Sequence, residues 1–505
     1  MTVNEKFVDF KEYLKGIFLF ESVANLLNWD QQVMMPKGAA NNRAEVNSAV
    51  QMYAFEQFTS DKTADYLDYF LQREISEQLS FEENAMIKVT KEELDKYKVI
   101  PKELFARRVK ATSLGHHVWE EAREKSEFSI FEDALKELVD ISIETAGIYR
   151  EKLYPETENL YDTLIEQFES GMTSQKLKQI KGVLQPKLTE LIKELNDGST
   201  PDDTIFRKNF DISKQIELSK LISKRMGYDY HRGLLEVSVH PFTNKISPDD
   251  VRITTRFFED NIVEGLFGTI HETGHALYEQ GLPKAFSWTP LAEGTSLGIH
   301  ESQSLFWENM IGKSLSFWKN IKPDLDKIFP GAFNEDVFEI YRAANICKPG
   351  FIRIESDEVT YSLHILLRFE LENALINGQI TVSELPEIWN QKMNEYLGVT
   401  PDNDAQGVLQ DVHWSEGIFG YFPSYMLGKL YAAQMYKTME NEFSIPELIE
   451  TGEWLKIREW LKTNVHQMGS IYKPNELIRR ITGEELDPKY FIDYIEKKFK
   501  DIYKI

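Results

Sequence analysis

Gly268-Thr269-Ile270-His271-Glu272-Thr273-Gly274-His275-Ala276-Leu277-Tyr278 reads H-E-x-x-H inside a segment of helical pattern. Residues four apart share one face of a helix, so His271 and His275 can hold one metal ion between their imidazoles. Glu272 stands beside the first of them, within reach of a water on that ion. Two histidines and a carboxylate in this spacing are the apparatus of zinc hydrolases. A chain with 10 histidines shows the pattern by chance about two times in a hundred, so context has to support it. Upstream, Asn261 with Glu264 predicts a capping box; downstream, Gly281 and Pro283 are stop signals. The predicted helix covers 262–280 and carries both histidines in its middle.

A catalytic zinc takes three protein ligands and keeps one position open. Cys347 is the only cysteine. The chain therefore has no Cys-rich structural site and no internal disulfide, and Cys347 reads as a small buried residue. The natural third ligand is a carboxylate on a neighbouring helix. Residues 298–309 scan as such a helix, and spacing admits Glu293, Glu301 and Glu308 alike. Glu279, four residues after His275, is placed to accept a hydrogen bond from a ligand imidazole.

The chain has 505 residues, 42% of them hydrophobic and 12% aromatic, the composition of a folded protein with a large core. Its formal charge of −24 argues against nucleic acid or an anionic membrane as partner. No stretch approaches the ~18 apolar residues of a membrane span. Met1-Thr2-Val3-Asn4 opens no signal segment. With a single cysteine, this predicts a cytoplasmic protein.

Helical pattern fills most of the sequence, clearest at 129–152, 173–195 and 361–377. Strand-like runs are few. Leu235-Glu236-Val237-Ser238-Val239 and Val251-Arg252-Ile253-Thr254-Thr255 are separated by Asn244, Ser247 and Pro248, which predicts a hairpin. An edge strand beside the metal helix suits a peptidase, because an extended peptide can pair with it through its backbone. Asp197-Gly198-Ser199-Thr200-Pro201-Asp202-Asp203 is the main predicted loop between halves.

Further motifs surround the first in order. They are His240-Pro241-Phe242, Asp250-Val251-Arg252-Ile253-Thr254, His300-Glu301-Ser302-Gln303, Ile352-Arg353-Ile354-Glu355-Ser356-Asp357 and Gly407-Val408-Leu409-Gln410-Asp411-Val412-His413-Trp414. Trp29-Asp30 and Met34-Met35-Pro36 join them near the N-terminus. With H-E-x-x-H, this set resembles the M32 family of metallocarboxypeptidases, the thermostable carboxypeptidase type. The motifs match HPF, DxRxT, HESQ, I/V-R-x-x-A-D and GxxQDxHW, with Ser356 standing where the family has Ala.

The resemblance implies a mainly α fold, one large helical unit over 1–505 with a deep groove and a small β-hairpin near the metal. About 1–200 would roof the groove and about 201–505 would carry the site. It implies one Zn2+ per chain, with Co2+ able to substitute, Glu301 as third ligand beside His271 and His275, and a homodimer. The implied activity is release of single residues from the free C-terminus of peptides, with broad specificity. Glu272 would be the general base. Arg353, whose fork suits a carboxylate, would take the peptide's C-terminus with His413 as helper. His240 and Tyr361 are candidate donors to the tetrahedral intermediate, and Arg252 either orients the hairpin or touches substrate. An endo- or oligopeptidase shares the metal set and is the alternative. An aminopeptidase lacks a marked acidic motif here, and a silent scaffold would have lost one of the chemical residues.

Overall fold

Uninterrupted helix-forming runs dominate, and the computed structural model, which describes residues 1–505, is 69% helical. The three clearest predicted helices appear at Ser129–Lys152, Ser174–Asn196 and Tyr361–Ile376. Local chemistry starts several helices. Thr2 with Glu5 opens Val3–Val33 through a capping box, as Ser80 with Glu83 opens Phe81–Lys98. No helix is long and apolar enough to cross a membrane.

Packing gives the N-terminal helices a core of their own. Helices Val3–Val33, Asp61–Phe70 and Phe81–Lys98 close on their own small core of Phe7, Phe10, Leu14, Leu67, Phe70, Met86 and Leu94. From Trp119 to Tyr503 nearly all buried apolar residues join one large core. Leu135 and Leu188, from before the loop at 197–203, share that core with Ile270 and Leu277 of the metal helix. The turn residues mark a loop there without separating two cores. Leu291 is the residue from the later part of the chain that is buried in the N-terminal core.

The sheet is small and differs from the predicted hairpin. Strands β1 (Leu235–Val237), β2 (Thr243–Ser247) and β3 (Asp250–Thr255) lie in the order β1-β3-β2. The hairpin is β2 with β3; β1 pairs with β3 in parallel on its other side. The sequence hid β2 because Thr243-Asn244-Lys245-Ile246-Ser247 is poor in strand formers and contains turn residues. Its alternation is nonetheless that of a half-buried strand, with Asn244 and Ile246 inside.

The metal helix spans Ile262–Gly281. Its predicted capping box is absent: Asn261 Nδ2 bonds the Glu264 carboxylate at 2.6 Å, and the Asn261 side chain caps no backbone N–H. The helix packs on β3 and on Leu297–Leu305, and Pro423–Glu440 lies behind the latter. Leu297–Leu305 continues as a π-helix, Phe306–Gly312. Such widened turns concentrate at functional sites because they re-aim side chains.

Candidate active site

Two ligand histidines need their rings to converge, and the helix provides this. The His271 and His275 ring centroids are 4.9 Å apart. Their Nε2 atoms lie 3.8 and 3.3 Å from Glu301 Oε2, and one ligand atom from each of the three residues falls within 4.8 Å of the others. The other two carboxylates left open by spacing go elsewhere. Glu293 pairs with Lys245 at 2.8 Å. Glu308 Oε2 bonds His271 Nδ1 at 2.8 Å, on the far side of the ring.

Glycine lets Glu301 arrive. Gly274 lies between the two histidines, and a Cβ there would stand 2.6 Å from Gln303 O and Ser304 Cα. Behind, a Cβ on Gly428 would stand 2.8 Å from Glu301 Cγ. Both contacts are closer than any side chain tolerates, so bare backbone allows the three helices to close around the carboxylate. The π-turn then swings Glu308 back to His271, and Lys313 holds its other oxygen at 2.6 Å.

The donor set suits a catalytic divalent cation: two imidazoles, one carboxylate and no fourth protein ligand. The field suits one too. Burial works to lower the His271 pKa, yet Glu301, Glu308 and Glu272 together hold it at about 10. His275, one turn on, is lowered instead, by burial first and by the neighbouring His300 and His271, with Glu301 opposing. Burial works to raise Glu308, but Lys313 and His271 hold it below the usual carboxylate range.

Glu272 is 7% exposed. Thr243 Oγ1, at the start of β2, lies 2.8 Å from Glu272 Oε2 and 2.9 Å from its carbonyl oxygen, so the strand fixes this carboxylate. Glu279 is buried and does not reach a ligand imidazole as its spacing suggested. The His300 ring takes that place: Glu279 Oε1 is 2.8 Å from His300 Nε2, and Lys245 lies 3.0 Å from the other oxygen.

A second cluster surrounds Arg353. Its Nε and Nη2 face Asp411 Oδ1 at 2.9 and 2.8 Å, and its Nη1 donates to Tyr361 OH at 2.8 Å. Arg368 Nε donates to the other Asp411 oxygen at 2.7 Å. Gln410 Oε1 accepts from Arg353 N and Arg368 Nη2, both at 2.8 Å. Ser356, the departure from the family pattern, donates its hydroxyl to Arg353 O at 2.5 Å and steadies that turn. Burial works to raise Asp411, but Arg368 and Arg353 hold it below the usual range. His413 lies 3.2 Å from Tyr425 OH and 4.5 Å, ring to ring, from Phe422. Burial, aided by both arginines and opposed by Asp411, depresses its pKa to about 4. Burial raises the Tyr361 phenol to about 12, with Glu301 adding to the effect and Arg353 opposing it.

Two predicted residues stand apart. Arg252 has its fork on Asp250 at 2.8 and 2.7 Å and its guanidinium 5.4 Å from the Trp29 ring centroid. These contacts tie the hairpin to the first helix and occupy the fork a substrate would need. His240 is exposed after β1, where neighbouring Pro241 faces Gly268 of the metal helix. Sequence reasoning missed Arg368, Lys313, Thr243 and His300 as parts of the site. Arg368 had a signal, since it lies two turns after Tyr361 on the same helix face.

The family model described as Carboxypeptidase Taq (M32) metallopeptidase matches residues 9–499. Carboxypeptidase 1 of Bacillus subtilis is 39% identical over 498 residues, covering 98% of each chain. Thermostable carboxypeptidase 1 of Thermus thermophilus is 35% identical over 513 residues, covering 100% of each. The crystal structure of an M32 carboxypeptidase from Deinococcus radiodurans superposes with a TM-score of 0.96 at 32% identity, over 99% of this chain and 100% of the other. Sequence likeness and fold thus agree from end to end: the chain belongs to the M32 metallopeptidase family.

Proposed function

We propose that this metallocarboxypeptidase holds zinc on His271, His275 and Glu301 and releases single residues from the C-termini of peptides, with broad specificity. One observation carries the reading. A metal-binding triad and a cationic cluster meet on one helix, Pro423–Glu440: Gly428 backs Glu301, and Tyr425, one turn earlier, lies 5.0 Å from the guanidinium of Arg353, which bonds Tyr361. That is the layout for a peptide whose last carbonyl must meet a metal while its terminal carboxylate meets an arginine.

Bound zinc would supply a Lewis acid that polarises the scissile carbonyl and acidifies water. Glu272 takes the proton from the attacking water and returns it to the leaving amine. Thr243 keeps the Glu272 carboxylate oriented for both transfers. Tyr361 accepts from Arg353 and so keeps its own O–H proton to donate to the tetrahedral oxygen. Two guanidiniums against Asp411 leave one positive charge for the substrate carboxylate, and neutral His413 leaves that balance unchanged. Asn25 covers part of the β2 edge by bonding Lys245 O at 3.1 Å. The edge strand beside the metal helix is β2, whose Thr243 holds Glu272, and in this reading an extended substrate pairs with the part of it that Asn25 leaves open. The N-terminal helices roof the groove in this reading. Homodimerisation and a cytoplasmic setting rest on the family resemblance and on composition.

The test is mass spectrometry of a mixed-sequence peptide incubated with zinc-loaded enzyme, with and without chelator. Loss of single residues from the C-terminus, abolished by chelation, is expected. Internal fragments would replace this reading with an endopeptidase.

A further inference from the structure

The histidine of the His300-Glu301-Ser302-Gln303 motif adjoins the triad, yet the reaction described above gives it no task. Its ring lies 4.7 Å from that of His275, centroid to centroid, and the two Nδ1 atoms are 2.7 Å apart. On its other side His300 Nε2 is 2.8 Å from Glu279 Oε1. Glu279 Oε2 is 3.0 Å from Lys245 Nζ, which also donates to Ala292 O at 2.6 Å and Glu293 Oε1 at 2.8 Å. We propose that His300 is the positioning residue of His275, an imidazole fixing the tautomer and ring plane of a metal-ligating imidazole. The proposal rests on the metal reading above.

Proton placement carries the argument. His275 Nε2 faces Glu301 Oε2 at 3.3 Å, so it must be bare to bind a cation. The His275 proton then sits on Nδ1 and is donated to His300 Nδ1. His300 must be bare at Nδ1 and protonated at Nε2, where Glu279 accepts. This pair of tautomers gives both contacts a donor and an acceptor while leaving His275 Nε2 free for a cation. His271 is served differently, by the Glu308 carboxylate directly, with Lys313 behind it. Each ligand ring is thus backed by a carboxylate held by a lysine, but for His275 an extra imidazole stands between. Groups that orient ligands in this way govern metal affinity.

Zinc dissociation constants, measured by chelator competition on full-length protein, test the idea. Thermal unfolding of each metal-free protein serves as the folding check. His300→Ala and His300→Phe should both weaken zinc by about 10- to 100-fold. His300→Asn, whose amide oxygen stands near the lost Nδ1, should recover most of that loss. The visible spectrum of the cobalt-loaded protein should shift in the Ala and Phe variants and return in Asn. Wild-type affinity in His300→Ala overturns the proposal, as does recovery by Phe equal to that by Asn, since filling space would then suffice. If His300→Ala does not fold, Glu279→Gln carries the test, with a severalfold loss expected and no loss overturning the proposal. Wild-type protein that binds no zinc, or Glu301→Ala that binds it normally, would defeat the metal reading itself.

Discussion

At one end of the site three carboxylates, Glu301, Glu272 and Glu308, crowd two imidazoles and meet one ammonium, Lys313. At the other end two guanidiniums, Arg353 and Arg368, share one carboxylate, Asp411. The metal end is partly buried and the two arginines fully so, and each cluster is left with one sign of charge in excess. Uncompensated buried charge is costly unless something completes it. On the proposed reading, a cation completes the first end and the terminal carboxylate of a peptide completes the second. A peptide C-terminus lying between a metal and an arginine satisfies both at once, and the opposite excesses fix its direction.

Removing the base while keeping its size and shape tests the first end most severely. Glu272→Gln should bind zinc in the same proportion as the parent and lose about 10^2- to 10^4-fold in turnover. Wild-type turnover in that variant would remove Glu272 from the mechanism. At the cationic end, Arg353→Gln should raise KM for peptides with a free C-terminus by about 30-fold or more, the cost of losing a buried charge partner. Zinc content should not change, and amidated peptides should be affected far less. Equal losses on both peptide types would break the contrast between the two ends.

Gly274→Ala probes how the metal end is assembled. Its Cβ would press on Ser304 Cα at 2.6 Å, so urea unfolding of the metal-free protein should show a loss of about 1–3 kcal/mol. Unchanged stability would mean that the helices can part without cost. The smallest effect is expected from pH at the other end. His413 is depressed to about 4, below its unfolded value of about 6.5. Its contribution to stability is therefore complete above about pH 6.5 and is lost as pH falls toward 4, because the unfolded chain takes up the proton first. Between about pH 7 and about pH 5, wild type should lose more stability than His413→Gln. Equal losses would show that His413 titrates normally and that the cationic end carries more charge than described.

Much of this was legible in the residues. H-E-x-x-H with its stop signals marked the metal helix to within a residue at its C-terminal end. Helical pattern marked Ser129–Lys152 in full. These succeed because helix periodicity and ligand spacing are local. The strand β2 was hidden by turn-forming residues, and its pairing with β3 depends on what packs against it. Turn chemistry at 197–203 marked a loop and no more, because turn residues act locally and say nothing about whether the two sides share a core.

Residue order alone sets out the chemistry available: two imidazoles one helical turn apart, a carboxylate beside them and an arginine downstream. Assignments that depend on distance come from the folded chain. It brought Glu301 rather than Glu293 or Glu308 to the imidazoles' Nε2 side. It placed His300 between Glu279 and His275, and it occupied the Arg252 fork with Asp250 while joining Arg353 to Tyr361. The reason is physical. A carboxylate or imidazole acts through contacts of about 3 Å, and residues far apart in the chain reach such distances only where backbones close up, as Gly274 and Gly428 allow here.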